Sequence, residues 1–192
     1  MTEGAPAGPA VFTVGHGTRS IEEFLAILRE AGIGRLVDVR TAPGSRKHPQ
    51  FGQVELESSL RAAGVHYVWR KDLGGWRKPR SGSPHVALRT PGFRGYADYM
   101  DSEEFEGAVR WLIETSANVP TAFMCAESVW WRCHRRMIAD ALTTRGCTVT
   151  HLMVEGRREP HRLHPTARPE GTRVIYDQEN PEQQRMATEG GE

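Results

Sequence analysis

TAFMC (121–125), continued by AESVWWRCHRR (126–136), decides how the chain is read. Ala122, Phe123, Met124 and Cys125 form a short apolar run after Pro120, the length and bounding of a buried strand. Polar residues follow, and then MIADAL (137–142) restores apolar residues at helical spacing, so a helix is expected from about Val129 to Arg145. A strand that hands over directly to a helix is half of a parallel-sheet unit.

The same alternation extends in both directions. VFTVG (11–15) is an apolar run ending in glycine, and after HGTRS a helix is expected to open at Ser20. Ser20 with Glu23 fits a capping box, and Ile21, Phe24, Leu25 and Leu28 recur at helical spacing. LVDV (36–39) reads as a strand, 54–63 as a helix and VHYVW (65–69) as a strand rich in β-branched and aromatic residues. The stretch 70–95 has no periodicity, and a loop that long in a globular domain usually carries function or is disordered. A helix is expected over about 96–115, and TVTHLMV (148–154) and TRVIY (172–176) supply the last strands. The expected class is α/β: one domain over 11–177, a mostly parallel sheet flanked by helices, with a disordered tail at 1–10 and a flexible acidic tail at 178–192.

Bulk properties agree with one core. A chain of 192 residues with 38% hydrophobic residues is long enough for one globular domain and short for two. No apolar run approaches the roughly 20 residues of a membrane-spanning helix, and MTEGAPAGPA (1–10) has no secretory pattern. Three cysteines make no disulfide framework, so a reduced cytoplasm is the expected compartment. The net charge of +1 conceals a basic segment: Arg70, Lys71, Arg77, Lys78, Arg80, Arg89 and Arg94 face Asp72 alone, offset by the Glu-rich C-terminus.

Parallel sheets present their chemistry at the carboxyl ends of strands. That rule gathers His16, Asp38, Arg40, Cys125 and Glu127 on one rim. Cys125, expected at a helix N-terminus with Arg132 and His134 nearby, is the candidate thiolate; its plainer reading is a packed core cysteine. Glu127, His134 and His16 are candidate acid–base groups, and Glu127 would otherwise be an ordinary first-turn acid. Asp38 and Arg40 are candidate substrate-binding residues that could equally pair with each other, with His16 as another partner for Asp38. Trp130 and Trp131 cannot both face the core; one should pack inward and the other line the pocket, stacking on a planar substrate. Arg132 is the best-placed anion ligand among Arg132, Arg135 and Arg136, which are otherwise a solvated face. Trp69 and Trp76 beside Arg70 and Arg77 could stack on bases and grip phosphates. His161, His164 and Arg168 could close over the rim, but the preferred reading is surface residues of a connecting loop. Cys125, Cys133, His134 and His16 are chemically adequate for zinc or iron. Adjacent positions on a helix point about 100° apart, however, so Cys133 and His134 would rarely share one ion, and a metal is possible but not favoured.

TVGHGTRSIEEFLAIL (13–28), LVDVRTAPGSR (36–46), LGGWR (73–77), CAESVWWRCHRRMIADAL (125–142) and HLMVEGRREPHRLHPTAR (151–168) closely resemble the bacterial and archaeal family known as domain of unknown function 488. The resemblance covers about 11–177, and it implies a shared fold and a shared site without naming a reaction. The residues point first to a cysteine-dependent enzyme acting on a planar or phosphate-bearing substrate, a small molecule, nucleotide or nucleic-acid base. The rivals are a nucleic-acid-binding module with structural or metal-held cysteines, and a non-catalytic interaction domain.

Overall fold

A computed structural model describes residues 8–154 and 156–179. Five strands lie parallel, in the spatial order β3 (His66–Trp69), β2 (Arg35–Asp38), β4 (Thr121–Cys125), β1 (Ala10–Gly15) and β5 (Thr148–Leu152). A short β6 (Arg158–Pro160) adds antiparallel to β5. β4 runs between β1 and β2, with Gly15 opposite Cys125 and Asp38 opposite Met124, so those strands end together.

Five helices cover the sheet: α1 (Ile21–Glu30), α2 (Gln53–Ala62), α3 (Pro91–Tyr99), α4 (Glu103–Asn118) and α5 (Arg135–Thr144). α1 forms where the capping box places it: Ser20 Oγ accepts from the Glu23 N–H at 3.2 Å, and Glu23 accepts from the Ser20 N–H at 2.8 Å. Its Phe24 and Leu28 join Leu56 and Leu60 of α2 over one sheet face, with Val14, Leu36 and Met124. On the other face Tyr96, Val109, Leu112, Ile138 and Leu142 of α3, α4 and α5 cover Val11, Val37, Phe123 and Val149. The mostly parallel α/β class is therefore the observed one, and no helix of the described residues is long and apolar enough to cross a membrane.

Five details differ from expectation, each for a local reason. The helix expected over 96–115 is two helices, because Ser102 caps a new one, its Oγ accepting from the Phe105 N–H at 3.2 Å. The helix expected from Val129 begins at Arg135; before it lie one 3-10 turn, Trp130–Arg132, and an extended Cys133 with φ −122° and ψ 152°. TRVIY does not enter the main sheet. It forms β8 (Arg173–Tyr176), antiparallel to β7 (Ala167–Glu170) in a separate hairpin. The N-terminal tail ends earlier than 10, since Gly8 already donates to the Gly146 carbonyl at 3.0 Å. At the other end Asp177 is tied to Arg168, and the Gln178 N–H donates to the Thr166 carbonyl, so the chain is held past 177. The remainder of both expected tails, 1–7 and 180–192, lies outside the described residues.

Candidate functional site

The loop after β4 is stapled to the end of β1. The His16 N–H donates to the Cys125 carbonyl at 3.0 Å and the Gly17 N–H to the Ala126 carbonyl at 2.9 Å. Buried Arg135 completes the attachment: it donates to Thr13 Oγ1 at 2.9 Å and to the Glu127 carbonyl. Gly15 is required by this close approach, because a Cβ there would collide with the Glu127 carbonyl and the Arg135 guanidinium. The glycine beside His16 thus serves the β4 loop.

That loop turns the chain back so that three ligating side chains converge. The Cys125 thiol, the Cys133 thiol and one His134 ring nitrogen all lie within 4.8 Å of one another. Cys133 Sγ is 3.6 Å from His134 Nδ1, while His134 Nε2 donates to the Val39 carbonyl at 3.1 Å. The expectation that Cys133 and His134 diverge fails because neither has yet entered α5: Cys133 is extended and His134 is the N-cap. For the same reason Cys125 is not at a helix N-terminus. The thiol favoured for ionisation is Cys133, held well below the ordinary value first by a hydrogen bond from Cys125 and further by the charge of Arg135. Cys125, as the donor of that bond and through partial desolvation, is pushed up.

The other rim residues have separate partners. Asp38 and Arg40 are fully or almost fully buried and bind each other, Arg40 Nε and Nη2 meeting the carboxylate at 2.9 and 2.6 Å. Tyr67 donates to the same carboxylate at 2.8 Å, and Arg40 Nη1 donates to the Phe51 carbonyl at 2.8 Å. Their charges are engaged with each other inside the rim, the pairing that the sequence allowed for. His16 stacks on Phe51 at 4.2 Å and is not part of that three-residue cluster; its Nδ1 bonds the Gly17 carbonyl and burial lowers its pKa to about 4. Glu127 is exposed and accepts from the Val129 N–H at 3.0 Å.

The tryptophan pair divides as its adjacency requires. Trp130 lies flat on His151 at 3.9 Å with 8° between the rings, whereas Trp131 is exposed. Arg132 is exposed, but Arg135 and Arg136 are buried, so the arginines after Cys133 are not one solvated face. In the basic loop Arg77 lies 3.8 Å over the Tyr99 ring, Arg70 pairs with Asp72, and Arg80 pairs with Asp98 and Asp101. Arg77, expected as a phosphate ligand, is thus half-buried against the Tyr99 ring. Trp76 stands 93% exposed with φ +63°, a backbone region costly for a large side chain. Its neighbour Gly75 abuts the His134 ring.

This site lies within a known family. The chain belongs to the family of the domain of unknown function DUF488, whose sequence model matches residues 20–142. The DUF488 match takes in Asp38, Arg40, the 73–77 loop and the whole Cys125–His134 block. Neither the curated proteins nor the solved structures provide a match to the chain.

A second polar assembly was missed from sequence and lies partly beyond the DUF488 match. Asp140 in α5 accepts from Tyr176 at 2.8 Å and meets His161 Nε2 at 2.9 Å; His161 Nδ1 meets His151 Nε2 at 2.9 Å. The expected surface loop thus delivers His161 to a buried Asp–His–His chain. One signal was available: Asp140 interrupts the apolar MIADAL run, where an unpaired charge would be costly. Its partners could not be read, because they come from 11 to 36 residues further along the chain.

Proposed function

We propose that this protein is an enzyme whose working centre is the Cys125–Cys133–His134 cluster, used in its thiolate form. Its substrate class is planar or phosphate-bearing, a nucleotide or a nucleic-acid base. The observation that carries this reading is the convergence of a buried thiol, a half-buried thiol and a histidine within 4.8 Å at the carboxyl edge of the sheet. A polar cluster of that kind is costly to bury and contributes nothing to a core that apolar residues would not supply better.

The surroundings support each step of use. A hydrogen bond from Cys125 stabilises the Cys133 thiolate, and Arg135 adds fixed positive charge nearby. Trp131 and Arg132 precede Cys133 on the surface, and Trp76 adjoins Gly75 at the His134 ring, so a flat anion would find stacking faces and one cation around the cluster. Three free cysteines fit a reducing cytoplasm, where we place the protein. The rival nucleic-acid module relied on the basic segment, whose Arg70, Arg77 and Arg80 are engaged internally.

The test is turnover of a panel of nucleotides and short oligonucleotides under reducing conditions. Cys133→Ser should retain binding and lose turnover, while Arg132→Ala should raise KM with little change in kcat. Turnover that survives Cys133→Ser refutes the reading. Salt-dependent oligonucleotide binding without turnover would move the assignment to a binding module.

A further inference from the structure

The cluster's geometry is that of a ligand set, and four independent features support this. A tetrahedral cation with bonds of about 2.3 Å to sulfur and 2.0–2.1 Å to nitrogen holds neighbouring ligand atoms about 3.6–3.8 Å apart. Cys133 Sγ and His134 Nδ1 are 3.6 Å apart, and Cys125 Sγ completes a triangle within 4.8 Å. His134 Nε2 donates to the Val39 carbonyl, so in the neutral ring the lone pair is on Nδ1, facing the thiols. A backbone carbonyl on the far nitrogen is the usual outer-shell support of a metal-bound histidine.

Backbone conformation supplies the third feature. An extended Cys133 followed by His134 in the helical region turns two consecutive side chains toward one point, which neither a strand nor a helix would do. The fourth is space. Gly75 passes so close that a Cβ there would lie 3.0 Å from His134 Nδ1, so the glycine leaves this nitrogen open.

We propose that Cys125 Sγ, Cys133 Sγ and His134 Nδ1 bind a thiophilic divalent cation of the zinc class, with a fourth position left to water or substrate. The proposal rests on the reading that this cluster is the working centre. Two thiolates and an imidazole select zinc, cobalt(II) or iron(II) over magnesium or calcium, which need oxygen ligands. Binding ionises both thiols and releases their protons to solvent, without any change of oxidation state. Three protein ligands among the described residues match a catalytic site, where the cation would polarise a bound water or substrate oxygen. His16 is not part of the set, since its ring lies against Phe51.

The experiment uses the full chain purified under reducing conditions, with zinc quantified by elemental analysis and cobalt(II) titrated by absorbance. The wild type should take up one cation per chain and show thiolate-to-cobalt charge transfer. Cys133→Ser and His134→Gln should each weaken cobalt binding by more than about 100-fold, beyond an outer-shell effect, while Cys147→Ser leaves it unchanged. Gly75→Ala, which removes no ligand and guards against variants that misfold, should weaken binding by about 10–100-fold. No thiolate band with cobalt(II), or undiminished binding in Cys125→Ser/Cys133→Ser, overturns the metal site. If cobalt(II) fails to bind while Cys133→Ser still abolishes turnover, the metal site falls and the enzyme reading stands. If cobalt(II) binds through both thiols but turnover ignores Cys133, the metal site stands and the enzyme reading falls.

Discussion

Acid should destabilise this fold well before its carboxylates titrate, and the structure says by how much. Burial lowers the pKa of His151 to about 3, with the neighbouring His161 and Arg135 acting in the same direction. Burial likewise lowers His164 and His16, each to about 4. An unfolded histidine titrates near 6.5, so between that value and about 4 the unfolded chain binds protons that the folded chain refuses. Stability is therefore complete above pH 6.5 and falls as pH drops toward the folded values. At pH 5 each histidine lies about 1.5 units below its unfolded pKa, or about 2 kcal/mol at 1.36 kcal/mol per unit. Screening by nearby solvent halves this to about 1 kcal/mol each, about 3 kcal/mol for the three.

The groups around His151 set the sign. Arg135 and His161 oppose a proton there, while Trp130 covers the ring and its indole N–H donates to Glu159 at 3.3 Å. For a chain of this size about 3 kcal/mol lowers Tm by about 6–12 °C, readable by scanning calorimetry at pH 7, 6 and 5. His151→Phe keeps an aromatic ring against Trp130 and removes one titrating group. It should therefore lose about a third of the pH 7-to-5 drop, about 2–4 °C, whatever its absolute Tm. A wild-type Tm that is flat from pH 7 to 5, or a His151→Phe protein with an undiminished drop, would refute the reasoning.

Two further outcomes test the rim. Arg135→Met should cost about 2–4 kcal/mol in urea unfolding, because Thr13 Oγ1 and the Glu127 carbonyl lose a charged donor in the interior. Trp76→Gly should leave stability within about 1 kcal/mol of wild type or raise it, since it removes a large residue from positive φ. The same change should weaken a planar ligand by about 1–3 kcal/mol, measured by calorimetric titration.

Local chemistry made most of the fold legible, and non-local chemistry hid most of the site. The five parallel strands are apolar or β-branched runs, and α1 announces itself through Ser20 and Glu23. β6 and β7 did not read as strands because REP (158–160) and ARPE (167–170) are polar, proline-bearing segments held by pairing at an edge and in a hairpin. Likewise PGFRGYADY (91–99) forms α3 despite two glycines, because Tyr96 is buried and donates to the Leu73 carbonyl at 2.9 Å. At the site, strand-end position identified Cys125. Cys133 was underrated because helical periodicity was extended back through Trp130, where the chain is actually turning. Arg135 is the deeper lesson: nothing in a sequence separates a buried arginine from a solvated one when its acceptors are a threonine 122 residues away and a loop carbonyl.

The two buried polar assemblies and the cysteine cluster are best understood together. Asp38, Arg40 and Tyr67 lock the end of β2 to β3 and to Phe51 on one face of the sheet. On the other face, Asp140, His161, His151 and Tyr176 lock α5 to β5 and β8. Apolar replacements could hold these elements with at least equal free energy, so stability alone does not account for either assembly. Directional bonds fix register and rotation in a way that apolar contacts do not. Val39, just past β2, carries the carbonyl that orients the His134 ring, and α5 carries Arg135, which anchors the loop after Cys125. A rotation of α5 by one residue would move Arg135 off Thr13 and carry His134 away from Val39 at the same time. The polar interior thus sets the separation of two thiols and an imidazole, the quantity on which both the proposed thiolate chemistry and the proposed cation site depend.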